Sequence, residues 1–120
     1  MLRIDIQSFS NSALLHCSGN LVFGVETETL RSMVQARHEE HLRVDLSRIG
    51  KIDASGLGVL VELQIWAREN RRQLSFVELS EDVWRVVILT KLYAAVDISY
   101  SGMPAVDRES FAFEPRELIA

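Results

Sequence analysis

A short segment near the middle of the chain, IDASGLGVL at residues 52–60, holds a carboxylate, a hydroxyl and two glycines: Asp53, Ser55, Gly56 and Gly58. Ser55 stands directly before an apolar pattern of helical spacing, which predicts that its hydroxyl caps the first turn of a helix. The same position suits an anion, because a helix N-terminus carries unpaired N–H donors and a partial positive charge. A third interpretation is a nucleophile for acyl transfer. Cap, phosphate acceptor and nucleophile are therefore the alternatives for this serine.

The nucleophile interpretation requires a general base within reach of the serine and a strained turn that presents it. ASGLG lacks the G-x-S-x-G pattern of that turn. The three histidines are His16, inside a predicted strand, and His38 and His41, around the end of a predicted helix. The chain also lacks the G-x-x-x-x-G-K-[ST] loop that holds ATP. The sequence therefore predicts a protein that is not an enzyme and needs no cofactor.

Two further groups of residues are weaker candidates for chemistry. His38 and His41 have a spacing compatible with a metal, but the motif is not H-E-x-x-H, and charged helix ends are usually solvated. Cys17 alternates inward with Leu15 on an apolar strand, which favours an inert core thiol over a redox sensor. Neither a metal site nor a redox site is predicted.

Composition restricts the class of protein. A chain of 120 residues, 48% hydrophobic and 25% charged, has the size of one compact domain. The net charge of −4 disfavours a nucleic-acid partner, since such proteins usually carry a clustered basic face. A single cysteine excludes an intramolecular disulfide, and no segment approaches the ~20 apolar residues of a membrane span. The N-terminus alternates apolar and polar residues, unlike a signal peptide. We expect a cytoplasmic protein, monomeric or at most a weak dimer.

The periodicity of apolar residues predicts alternating strands and helices. Strands are predicted at residues 2–6, 13–17, 42–46, 73–79 and 96–100. Helices are predicted at Val25 to Glu40, from just after Ser55, and at Glu81 to near Leu92 with Ser80 as cap. In the last of these, the β-branched run at 86–88 leaves a strand open as the alternative. The fold class is therefore α/β, a mixed sheet of about five strands with helices on one face.

The segment VDLSRIGKIDASGLGVLVEL at residues 44–63 closely resembles the centre of STAS domains, specifically the anti-sigma factor antagonists. In that family a V-D-L-S strand is followed by a loop and by D-[SA]-S-G-L-G-x-L at the start of a helix. Gly19 with Leu21, and SEDVWRVVILTKL at residues 80–92, agree with the same family. The resemblance covers residues 1 to about 100. It implies a STAS domain over 1–100 and a tail or short packed helix over 101–120.

The resemblance also implies a function. Ser55 corresponds to the serine that a partner anti-sigma factor, itself a serine kinase, phosphorylates. Unphosphorylated antagonist binds that partner and frees the sigma factor, whereas phosphorylated antagonist releases it. A phosphoserine adds nearly two negative charges at a contact surface, which agrees with release. The residues that the resemblance places at the partner surface are Asp53, Ala54, Ser55, Gly56, Leu57, Gly58, Asn20 and Val22.

The sequence departs from the family at one position that bears on this mechanism. Many antagonists have G-E-L-D before the first helix, where this chain has Gly19, Asn20, Leu21 and Val22. Both acidic residues are replaced. Two alternatives to the switch therefore stand: a constitutive binding module that is not phosphorylated, and a STAS subunit of a lipid-transport ATP-binding-cassette system.

Overall fold

The structure, a computed structural model, describes residues 1–99. The expectations for Tyr100 and for the segment 101–120 lie outside this range. The described elements follow in the order β1 (Leu2–Phe9), β2 (Ser12–Leu21), α1 (Val25–Gln35), β3 (His41–Ile52), α2 (Ala54–Glu69), β4 (Gln73–Val77), α3 (Glu81–Thr90), a 3-10 turn (Leu92–Ala94) and β5 (Ile98–Ser99).

The five strands form one mixed sheet in the order β1-β2-β3-β4-β5. The first two strands are antiparallel and every later pair is parallel, since a helix separates each of those strands. Successive parallel strands are added in one direction, so right-handed crossovers place all three helices on the same face. The predicted fold class is thus confirmed.

Burial alternates along the strands and separates the two faces of the sheet. In residues 13–17 of β2 and 42–46 of β3, every second residue is buried beneath the helices, as in Leu15 and Val44, each fully buried. The opposite face is polar: His16 Nδ1 lies 3.1 Å from an Asp45 carboxylate oxygen, and His16 Nε2 lies 3.3 Å from the Gln7 amide oxygen. One apolar core therefore lies between the sheet and the helices.

Helix α1 ends at Gln35, five residues before the predicted end at Glu40. Arg37 and His38 would suit the last turn of a longer helix, but the connection to β3 is held by tertiary contacts instead. The Glu39 side chain is buried and accepts hydrogen bonds from Arg37 and from Ser8, and the Arg72 guanidinium donates to the carbonyl of Arg37 at 2.6 Å. The basic residues alone did not show whether this segment is the last turn of α1 or a loop held by residues distant in sequence.

Other element ends also differ from the prediction. β2 and β3 are longer than predicted, because their pairing continues to Leu21 and Ile52. α3 is a helix throughout its β-branched run and ends at Thr90, since Lys91 adopts a left-handed backbone conformation with φ 59°. β5 is reduced to two residues. Among helices in residues 1–99, none has the length and apolar character needed to cross a membrane.

Gln64 has a role that the sequence did not reveal. A glutamine on a helix is usually exposed, but the side chain of Gln64 is buried. Its amide nitrogen donates to the Leu74 carbonyl at 3.2 Å, and its amide oxygen accepts from the Asp97 N–H at 2.8 Å. Gln64 thereby satisfies one backbone carbonyl of β4 and the backbone N–H of the residue directly before β5.

Candidate functional site at the start of helix α2

Two segments that the sequence singled out separately meet at the carboxyl edge of the sheet. The last pair between β2 and β3 is Leu21 with Ile52, so the loop after β2 and the start of α2 are neighbours. The Asp53 N–H donates to the Leu21 carbonyl at 3.4 Å. The structure therefore brings Asn20 and Val22 to the same edge as the Asp53–Gly58 segment.

The N-cap of α2 is Asp53, and the prediction that Ser55 is the cap was wrong. An Asp53 carboxylate oxygen accepts a hydrogen bond from the Gly56 N–H at 2.9 Å, which is the N-cap contact. The helix begins at Ala54, so Ser55 is its second residue rather than the residue before it. Aspartate and serine are nearly equal as caps, and the extended backbone of Asp53 is what decided between them.

The other Asp53 carboxylate oxygen reaches across to the loop after β2. It accepts a hydrogen bond from the Phe23 N–H at 3.0 Å. Hydrogen bonds from the backbone N–H groups of Phe23 and then Gly56 lower the pKa of Asp53, because they favour the charged carboxylate. Asp53 is therefore a positioning residue that fixes the loop and the helix start relative to each other.

The Ser55 hydroxyl has no structural partner in the described part of the chain. The side chain is partly exposed, and its oxygen makes no hydrogen bond to any of residues 1–99. His16 lies beside Asp45 on β3, roughly 23 Å of strand before the start of α2. His41 begins β3, about 36 Å before that point, and His38 precedes it. No histidine of the described chain is within hydrogen-bonding reach of Ser55, as acyl transfer would require.

The two glycines of the motif have different surroundings. A Cβ on Gly56 would lie 2.2 Å from the Leu21 carbonyl oxygen and 2.8 Å from Cγ1 of Ile52. Gly56 is buried and allows the first turn of α2 to pack against the end of β2, so its role is internal. A Cβ on Gly58 would meet nothing within 4 Å, and this glycine is exposed. Only Gly58 leaves its backbone open to a partner.

The remaining residues of the predicted surface differ in exposure. Ala54 is exposed, whereas Leu57, Asn20 and Val22 are partly buried. The Asn20 N–H donates to the Met1 carbonyl at 2.8 Å.

Sequence reasoning missed two residues of this edge, Phe23 and Val25. Phe23 is 80% exposed and Val25 is 77% exposed, although both are large and apolar. The signal that could have found them is the stretch LVFGV, where apolar residues occupy the loop and the first position of α1. Exposed apolar residues grouped beside a candidate site indicate an interaction surface.

The weaker candidates lie elsewhere in the fold. Within residues 1–99, no group of three or more potential ligating side chains is placed to hold a metal ion. Cys17 is buried, and this burial raises the pKa of its thiol to about 12. The thiolate form that redox chemistry requires is therefore disfavoured.

Comparison with known proteins identifies the fold and the family. A family model described as "Mlab, STAS domain" matches residues 6–103. A candidate anti-sigma factor antagonist from Thermotoga maritima is similar with a TM-score of 0.71 and 20% identity, covering 89% of this chain and 92% of that one. The anti-sigma factor antagonist SpoIIAA in its unphosphorylated form is similar with a TM-score of 0.65 and 14% identity, covering 90% and 96%.

A shorter match is found to Mglu, with a TM-score of 0.56 and 16% identity. It covers 60% of this chain and 18% of Mglu, so the chain spans less than a fifth of that protein's length. At these identities the structural similarities establish the fold, and the family model establishes the family. The chain belongs to the STAS domain family.

Proposed function

We propose that the chain is an anti-sigma factor antagonist whose contact surface is the start of α2 together with the loop after β2. The unphosphorylated protein binds an anti-sigma factor that is also a serine kinase. Phosphorylation of Ser55 by that kinase releases it. The similarity to antagonists of known structure supports the class of function, and the local geometry supports the site.

The observation that carries the proposal is the state of the Ser55 hydroxyl. It is partly exposed on the first turn of α2 and has no hydrogen-bond partner among residues 1–99. Asp53 caps the helix instead, so Ser55 can be modified without loss of the cap. The lack of a nearby imidazole in the described chain supports a phosphate acceptor over a catalytic nucleophile.

The electrostatics of the helix start favour phosphorylation within the folded protein but oppose the complex. A phosphate on Ser55 lies where the helix dipole is positive, which stabilises it. The same phosphate lies close to Asp53, whose lowered pKa keeps it ionised at neutral pH. Two groups of like charge in an interface must both be desolvated when a partner binds. The phosphorylated surface therefore binds more weakly without a change of fold.

Phe23 and Val25 supply the apolar part of the same surface. Interfaces have apolar centres, and aromatic side chains held on rigid backbone contribute most to affinity. The hydrogen bond from the Phe23 N–H to Asp53 holds the backbone beneath this ring. We infer that Phe23 contacts the partner next to Ser55.

The test compares Ser55→Ala and Ser55→Asp for binding to the cognate anti-sigma factor kinase. Ser55→Ala should bind as the unmodified protein does, and Ser55→Asp should bind roughly 5- to 100-fold more weakly, because charge enters the interface. Incubation with kinase and ATP, followed by mass spectrometry, should add one phosphate at Ser55. Binding by all three proteins without any mass increase would contradict the switch.

A constitutive binding module is the second candidate, and the observation that favours it is Val22. The family's acidic residue at this place is replaced by an apolar one that is partly buried, beside the exposed Phe23. This gives the loop an apolar rather than an acidic contact. Tight binding that is insensitive to ATP would identify this function, and stable association with a transport ATPase would identify the transport subunit.

A further inference from the structure

A recess on the outer side of α2 begins at Gly58, three residues after Ser55, and extends along the helix to Glu69. Its volume is about 470 Å³, and its lining residues are Gln35, Gly58, Val61, Glu62, Ile65, Trp66 and Glu69. The lining is mostly apolar, and Ile65 is 48% exposed within it. Gly58 to Glu69 spans about 16 Å of helix, or three turns. The recess is therefore an elongated apolar surface along α2, with the end of α1 beside it.

Gly58 forms one end of this recess and has no internal reason to be a glycine. Glycine within a helix costs about 1 kcal/mol relative to alanine. At Gly56 the close carbonyl of Leu21 explains that cost, but a Cβ on Gly58 would meet nothing within 4 Å. The space above Gly58 is open to whatever approaches α2 from outside.

Trp66 closes the other end of the recess. Its ring packs partly against the core, and the Arg72 guanidinium lies 5.5 Å from the ring centroid. The same guanidinium donates to the carbonyls of Arg37 and Glu39, which directs it toward the loop before β3. The ring is thus held rigidly, as an anchoring contact requires.

The charge at the rim indicates what kind of segment fits. Among the described residues, the lining includes the carboxylates of Glu62 and Glu69 and no lysine or arginine. Arg31 binds both Glu62 and Glu28, so one cation is shared between two carboxylates. Glu69 is exposed and makes no ion pair within residues 1–99. An apolar floor with an acidic rim complements an apolar helix face flanked by lysine or arginine.

We propose that this recess is a second docking surface, which receives a basic amphipathic helix of a partner protein. It goes beyond the proposed function because it does not involve the Ser55 hydroxyl. The partner's apolar side chains lie over Gly58 and Ile65. Its basic residues pair with Glu69 and are attracted by the net negative charge that Glu28 and Glu62 keep beside Arg31. The recess retains this helix whether or not Ser55 is phosphorylated.

The probe is a designed helical peptide with leucines on one face and flanking lysines, compared with the same peptide carrying glutamates. In a two-dimensional amide NMR titration, the lysine peptide should shift the resonances of Gly58, Ile65 and Trp66, and the glutamate peptide should not. Equal binding of both peptides, or shifts confined to other parts of the molecule, would overturn the proposal.

Variants separate docking from stability. Gly58→Ala should raise the melting temperature, because alanine favours helix, yet weaken the lysine peptide about tenfold by filling the recess. Ile65→Asp should weaken it at least as much, whereas Leu89→Asp, at a 75% exposed position on α3, is the matched control that should not. Unchanged affinity of Gly58→Ala would count against the recess.

A last comparison distinguishes this proposal from the phosphorylation switch. Ser55→Asp should bind the lysine peptide as the unmodified protein does, even though it weakens the kinase complex. Loss of peptide binding in Ser55→Asp would show that the two surfaces are one. Absence of phosphorylation at Ser55 leaves the expected peptide result unchanged.

Discussion

The starts of α2 and α3 each carry a serine, and within residues 1–99 only the Ser80 hydroxyl makes hydrogen bonds. The Ser80 hydroxyl accepts from the Val83 N–H at 3.2 Å and donates to the Ile49 carbonyl at 2.7 Å, so it caps α3 and attaches it to the end region of β3. The Ser55 hydroxyl makes neither kind of contact within residues 1–99, because Asp53 provides the cap of α2. A serine at a helix start is a candidate functional residue when another residue already provides the N-cap.

The two helices are also attached to the sheet in different ways. α3 is joined through Ser80, whose backbone N–H donates to the Leu46 carbonyl at 3.1 Å and whose hydroxyl donates to the Ile49 carbonyl at 2.7 Å. α2 is joined through close backbone packing at Gly56 and through the two hydrogen bonds of Asp53. Removing these attachments one at a time tests the comparison.

Gly56→Ala should have the largest effect. Its Cβ would be 2.2 Å from the Leu21 carbonyl oxygen, which belongs to backbone and cannot move aside cheaply. We expect a loss of about 3 kcal/mol in the free energy of unfolding. Urea denaturation measures this loss, and Gly58→Ala is the control that should be as stable as the unmodified protein or more so.

Asp53→Ala should rank second, with a greater loss of stability than any single serine substitution at a helix start. It removes the cap and also the acceptor for the Phe23 N–H. The Phe23 amide should become faster in hydrogen exchange. If that amide stays protected, the loop is held by something other than Asp53.

Lowering the pH should destabilise the protein in the same way as Asp53→Ala. Because the folded pKa of Asp53 lies below its unfolded value of about 3.9, its contribution to stability is present above that pH. The contribution is lost as the pH falls through the lower folded value. The amide resonances of Phe23 and Gly56 should shift together in this acid range, and in Asp53→Asn this coupled shift should vanish.

Ser80→Ala should cost about 1–2 kcal/mol, since it removes an N-cap and the hydrogen bond to the Ile49 carbonyl. Ser80→Asp should recover the cap but not the donated hydrogen bond, so its stability should lie between the two. If Ser80→Ala were as stable as the unmodified protein, the Ser80 hydroxyl would not stabilise the fold and would not differ from that of Ser55. Equilibrium denaturation provides the measurement.

Ser55→Ala should have the smallest effect, within about 0.5 kcal/mol, because its hydroxyl contributes no bond to the described fold. A loss as large as that of Ser80→Ala would show that Ser55 has a structural partner after all. Thermal melts of Ser55→Ala and Ser80→Ala, measured side by side, therefore test most directly whether the Ser55 hydroxyl lacks a structural role.

Much of the fold was predictable because periodicity is a local property of the chain. The alternation of Leu2, Ile4 and Ile6 predicted β1, and Ser80 with two acidic residues after it predicted the start of α3. Element ends were predicted less well. The end of α1 depends on Arg37, Glu39 and Arg72, which are brought together only by folding.

At the candidate site, too, some features were predictable from the sequence and others were not. The sequence located the segment, its family and its serine, because a motif of fixed polar and glycine positions is readable without coordinates. It did not show that Phe23 and Val25 are exposed, since hydrophobic residues are usually taken as core. Exposure depends on what packs above a residue, which a single sequence does not state.

The sequence by itself determined the α/β class, the strand order along the chain and a motif with one serine and two glycines. Only the tertiary structure decided that Asp53 rather than Ser55 caps α2, and that Gly56 is internal while Gly58 is open. The physical reason is that both decisions depend on atoms distant in sequence. The Phe23 N–H, 30 residues before Asp53, orients its carboxylate, and the Leu21 carbonyl leaves room for no side chain at Gly56.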